Sequence, residues 1–164
     1  TIYKEGHGVE KNYKEAARWN RLGAEQGNAE AQFNLGIVYE EGEGVQKSDK
    51  EAARWYHLAA EQGHVKVQVN LAIMHNQGRS VEKNYMEGVR WSRLAAQQGH
   101  AEAQGILGMM YSQGHGVAKC YTEAARWNRL AADQGFASAQ VTLGAMYYEG
   151  QGVEKNYKEA VRWS

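Results

Sequence analysis

Six histidines and a single cysteine are the side chains of this 164-residue chain with the widest chemical reach. A metal site would need several of them to converge. His64 and His100 stand 36 residues apart and His7 and His115 stand 108 apart, so they fall in rows. Neither H-E-x-x-H nor C-x-x-C occurs to gather ligands on one face. The histidines therefore read as cap or loop residues, and no metal or other cofactor is expected. Cys120 precedes a predicted helix, whose N-terminus would depress a thiol pKa. His115 in the same loop would be a candidate base, but no third group stands ready to orient it. No catalytic residue is expected.

Two further patterns resemble phosphate chemistry. The Gly-x-Gly-Val loops look like fragments of nucleotide-binding turns, yet no strand precedes them and no G-K-[ST] follows. Their glycines suit short helix connections that need positive φ. Arginine recurs at Arg18, Arg54, Arg90, Arg126 and Arg162, as a phosphate-tracking ladder would. Each follows a glutamate by three residues (Glu15, Glu51, Glu87, Glu123, Glu159), a spacing that pairs the two on one helix side. The ladder reads as structure.

Composition agrees. Nineteen basic and nineteen acidic residues cancel, so the basic excess that a nucleic-acid binder uses is missing. Mean hydropathy is −0.71. The most apolar run, Ile106 to Tyr111, is far short of the ~20 residues that span a bilayer. One cysteine closes no intrachain disulfide. Proline is absent, which leaves nineteen glycines to punctuate the chain.

The elements that position these residues repeat. Trp19, Trp55, Trp91, Trp127 and Trp163 are each 36 residues apart, as are Gly6, Gly42, Gly78, Gly114 and Gly150, and Val9, Val45, Val81, Val117 and Val153. A period of 20–50 residues replaces a single core with a stack. Three full repeats (29–64, 65–100, 101–136) lie between partial ones at 1–28 and 137–164, and together they form one repeat domain over 1–164.

Each repeat predicts two amphipathic helices, as in Ala29–Glu41 and Asp49–Gln62, because apolar residues recur at spacings of three and four. Ser48–Glu51, Asn12–Glu15, Asn84–Glu87 and Asn156–Glu159 have capping-box spacing, and Gly42 and Gly63 follow helix ends. Small residues recur at the eighth position (Gly36, Ala72, Gly108, Gly144) and the twenty-fourth (Ala16, Ala52, Gly88, Ala124, Ala160). Glycine inside a helix costs about 0.8–1 kcal/mol against alanine, so its recurrence predicts a close backbone neighbour. Tryptophan is expected to fill the space between repeats. The reading is all-α, a stack of helix-turn-helix repeats.

These residues resemble the Sel-one-like repeat family, relatives of the tetratricopeptide repeat. The pattern is clear in Ala101, Ala103, Gln104, Leu107, Gly108, Met110, Tyr111, Gly114, Gly116, Val117 and Lys119, then Glu123–Trp127 and Leu130–Ala132. The resemblance covers the whole chain. It implies a right-handed α/α superhelical solenoid that serves as an adaptor or scaffold for protein complexes, with the first helix of each repeat on the concave side. Three positions depart from the pattern: His75 replaces tyrosine, the glycine loop becomes Gly78-Arg79-Ser80, and Cys120 replaces a capping residue. Some secreted family members carry a cysteine pair in every repeat and have been linked to β-lactam binding or hydrolysis. A penicillin-interacting or β-lactam-hydrolysing enzyme is thus the alternative function, though this chain has no such pairs.

Comparing the repeats with one another separates two faces of the first helix. Positions 1, 3, 4, 7, 8, 10 and 11 barely change, while 2, 5, 6, 9, 12 and 13 vary. At ~100° per residue these sets fall on opposite arcs. The free arc carries Glu30, Phe33, Asn34 and Ile37, then Lys66, Val69, Asn70 and Ile73. It continues with Glu102, Ile106 and Met109, then Val141, Thr142, Ala145 and Tyr148. An apolar stripe with a polar rim is the composition of a binding surface for an extended peptide or a partner helix. The alternative is that neighbouring helices cover it. The expected function is a non-enzymatic interaction scaffold with a protein or peptide partner, no nucleic acid and no membrane span.

The ends carry Ile2, Tyr3, Val161 and Trp163 where a finished solenoid has polar caps. They predict either a piece of a longer array or end-to-end self-association.

Overall fold

Asn12, Asn28, Ser48, Asn84 and Asn156 each stand immediately before the first residue of a helix. Their side-chain oxygens accept a backbone N–H three residues on, from Glu15 (3.0 Å), Ala31 (2.8 Å), Glu51 (3.3 Å), Glu87 (3.2 Å) and Glu159 (3.2 Å). Only this half of the capping box forms. The carboxylates of Glu15, Glu51, Glu87 and Glu159 turn instead to Arg18, Arg54, Arg90 and Arg162, as Glu123 does to Arg126, at 3.2–3.6 Å. Each of these guanidinium groups also lies over the ring of the next residue, a tryptophan.

The computed structural model describes residues 12–79 and 81–163. Expectations that rest on Ile2, Tyr3, Gly6, His7, Val9, Ser80 and Ser164 lie outside the described residues. Nine helices and no strand form among those described. They are α1 (Tyr13–Glu25), α2 (Ala29–Glu41), α3 (Asp49–Glu61), α4 (Val65–Gln77), α5 (Tyr85–Gln97), α6 (Ala101–Gln113), α7 (Tyr121–Asp133), α8 (Ala137–Glu149) and α9 (Tyr157–Trp163). Even-numbered helices are the first of each repeat and odd-numbered ones the second. Gly42, Gly114 and Gly150 end α2, α6 and α8 in the left-handed conformation. The architecture is an all-α helical repeat.

Contacts divide the chain into two compact units, one running through Val67 with Gly78–Glu82, the other holding Gln68–Gln77 and Lys83 onward. In the first, Ala17 and Ala24 of α1, Leu35 and Val38 of α2, and Trp55 of α3 form one apolar cluster. In the second, Ala131 and Ala132 of α7 meet Ala139, Leu143 and Tyr147 of α8 and Ala160 of α9. Trp91 of α5 is completely buried, whereas Trp19 is 54% exposed, so the tryptophan row is only partly interior.

At Gly36, Gly88 and Gly108 the close neighbour is a side chain and not the expected passing backbone. The ring of Tyr56 occupies the place of a Cβ on Gly36, and the amides of Asn76 and Asn128 do the same at Gly88 and Gly108. At these three positions the partner side chain leaves no room for a Cβ. Backbone comes close in the connections instead: a Cβ on Gly116, which has φ +72°, would strike the Tyr85 carbonyl.

Candidate functional site

The reactive side chains settle into packing roles. The imidazole of His115 stacks on Tyr85, with centroids 4.2 Å apart and planes 17° from parallel. His64 Nε2 lies 2.9 Å from Glu30 Oε2, and His57 Nδ1 lies 2.8 Å from the Ala53 carbonyl oxygen. His75 is buried. Cys120 holds the N-cap position of α7 with no side-chain cap bond. Among the described residues, no group of three His, Cys, Asp or Glu could hold a metal ion. No described helix is long and apolar enough to cross a membrane.

Of the first-helix residues singled out above, Glu30, Lys66, Asn70, Glu102, Met109, Val141, Ala145 and Tyr148 are exposed. Phe33, Asn34, Ile37, Ile73, Ile106 and Thr142 are half-buried. Val69 departs from the expectation, since it is only 3% exposed and belongs to the packing. In two other repeats the side chain of the thirty-sixth position packs over the fifth. Phe33 packs against His64 with centroids 5.1 Å apart, and the Phe136 ring sits over Gly105. The fifth position lies at the border of the two arcs and is easily covered.

The second unit carries an open groove of about 640 Å³ along α6. Ile73, Asn76 and Gln77 of α4 form one wall, and Ser138, Ala139 and Thr142 of α8 line it as well. The floor comes from Glu102, Gly105, Ile106, Met109 and Met110, with Phe136 at one end and Tyr85 and His115 also in the lining. Five residues of the predicted face (Ile73, Glu102, Ile106, Met109, Thr142) share this groove. In the first unit Asn34 and Ile37 line a hollow of about 80 Å³.

Sequence reasoning missed Gly105 and Phe136. Their signal was a break in the repeat: glycine where Phe33, Val69 and Val141 stand, paired with phenylalanine where His64 and His100 stand. It also missed a glutamine ladder. Buried Gln32 and Gln104 donate to the Ala24 and Ala96 carbonyls (both 3.2 Å) and accept from Gln62 (2.7 Å) and Gln134 (2.8 Å). Gln98 donates to buried Gln68 at 2.9 Å. A side chain that both donates and accepts is needed at the fourth position, and it ties α2 and α6 each to the second helices before and after it. The invariance of glutamine at the fourth and thirty-fourth positions was the available clue.

The Sel1 repeat pattern matches residues 1–28, 29–64, 65–100, 101–136 and 137–164. A Sel1 repeat protein from Oxalobacter formigenes is 39% identical over 99% of this chain and 67% of its own, with a TM-score of 0.93. A protective antigen present in uropathogenic Escherichia coli strains, described as displaying an SLR fold, is 36% identical with a TM-score of 0.92. The match covers 99% of this chain and 35% of the antigen, so the chain spans about a third of that protein. Cysteine rich protein B from Helicobacter pylori is 24% identical over 73% of this chain and 85% of that one, with a TM-score of 0.55, and is alike in fold alone. No curated protein matches the sequence. Sel1 repeat proteins are generally protein-interaction scaffolds, and the repeat by itself names no catalytic family. With five repeat matches covering its whole length, the chain belongs to the Sel1 repeat family.

Proposed function

We propose that this chain is a non-enzymatic interaction module that binds an extended segment of a protein partner along α6. The groove carries this reading. Half-buried Ile73 and Ile106 and exposed Met109 offer apolar surface that has lost only part of its water. Covering it releases roughly 25 cal/mol per Å². Gln77 and Gln113 hold matching positions on successive first helices, and both are exposed. A carboxamide offers one acceptor and two donors, the complement of a peptide backbone. Apolar floor and amide rim together suit a strand-like ligand whose main chain needs hydrogen bonds and whose alternate side chains need pockets.

The test is selection from a random peptide library on the whole chain, followed by the same selection on a Met109→Glu, Ile106→Glu variant. The reading expects enriched peptides that lose binding to the variant while its helical circular dichroism is unchanged. Retained binding, or no enrichment, would refute it.

A further inference from the structure

Glu102 is the only formally charged side chain among the described residues that line the groove. Its counterpart in the first unit, Glu30, is matched by His64 at 2.9 Å. In the repeat that contains Glu102, the position of His64 is taken by Phe136, which has no donor to offer. No cation or hydrogen-bond donor pairs with Glu102 among the described residues, and its side chain is exposed. The same substitution supplies an aromatic ring that lines the groove with the carboxylate. Gly105, lacking a side chain, leaves that ring lying directly on α6.

A free carboxylate and an aromatic ring at one end of an apolar groove are complementary to a cation on an aliphatic stem. The carboxylate supplies charge, the ring face supplies cation–π attraction, and Ile106 supplies contact for methylene groups. We infer that this end of the groove receives a lysine or arginine side chain of an otherwise uncharged, extended peptide. The inference rests on the groove being the binding surface and adds the chemistry of the ligand. An acidic ligand would meet Glu102 with no lysine or arginine in the lining to offset the repulsion.

The experiment sequences the library peptides that bind the whole chain and synthesises the consensus peptide with blocked ends. Lysine or arginine is expected at one fixed position. Replacing that residue by glutamine weakens binding about fivefold at low salt and less at high salt. Glu102→Gln in the protein gives the same loss, and the two changes together add little further. Glu102→Lys selects peptides with aspartate or glutamate at that position, a gain that misfolding does not produce. Peptides lost in the Met109→Glu variant but showing no basic preference, or indifferent to Glu102→Gln, overturn the inference while the groove reading stands. No peptide binding, or binding untouched by Met109→Glu, overturns both.

Discussion

The ring of Tyr56 lies against the bare Cα of Gly36, and its hydroxyl donates to Glu40 Oε2 at 2.6 Å. The same pair of positions brings the Asn128 amide against Gly108. Where the eighth position is Ala72, its partner position is the much smaller Ser92. Gly36→Ala should therefore destabilise the protein by about 1–3 kcal/mol through overpacking. The same change made with Tyr56→Ser should cost less than the sum of the single changes. Urea denaturation of the four variants measures the coupling, and simple additivity would refute it.

Gly116 combines two constraints, a positive φ and the Tyr85 carbonyl where a Cβ would sit. Neither neighbour is a flexible side chain able to move aside. Gly116→Ala should cost more than about 2 kcal/mol, the sum of left-handed strain and a displaced connection. Gly99→Ala shares the positive φ but has open space around it, so it should cost clearly less. Equal unfolding midpoints for the two variants would contradict the backbone-approach account.

Gln104 is 4% exposed and serves as donor and acceptor at once. Gln104→Met keeps most of the volume and removes both bonds. A loss of about 1–3 kcal/mol is expected, since buried polar groups on the neighbouring helices lose a partner. Gln134→Ala, at an exposed position, should cost less. Hydrogen exchange would show the loss as faster exchange in both α5 and α7.

Tyr56 also sets an alkaline limit. Burial, then the hydrogen bond to Glu40 and the charges of Glu40 and Glu41, push its phenol well above the ordinary 10.0. The fold thus favours the neutral phenol. Its contribution is complete below pH 10 and is lost as pH rises beyond that value. Tyr56→Phe should be less stable than the parent by about 1.5–3 kcal/mol at pH 8. That gap should close by about 1.4 kcal/mol per pH unit above pH 10. A gap independent of pH would show that the phenol is not held neutral.

The repeats made the fold legible because each helix signal occurs several times. The Asn12, Ser48 and Asn84 caps and the Gly42 stop are short-range features, fixed by a few neighbouring residues. The free face was legible where a side chain points squarely away from the stack, as with Met109 (43% exposed) and Tyr148 (60% exposed). It failed at Val69, because a position on the border of the two arcs is covered or left open by packing that the spacing does not fix. The groove was hidden for the same reason. Gly105 looks like a weak helix residue until Phe136 is seen lying over it.

The central claim is that the first-helix face of the second unit is where a partner sits. Hydrogen–deuterium exchange of the whole chain, with and without a saturating library-selected peptide, tests it most directly. The account predicts added protection along α6 and in the flanking parts of α4 and α8 that line the groove. Protection confined to the second helices, around exposed Leu94 and Leu130, would contradict it.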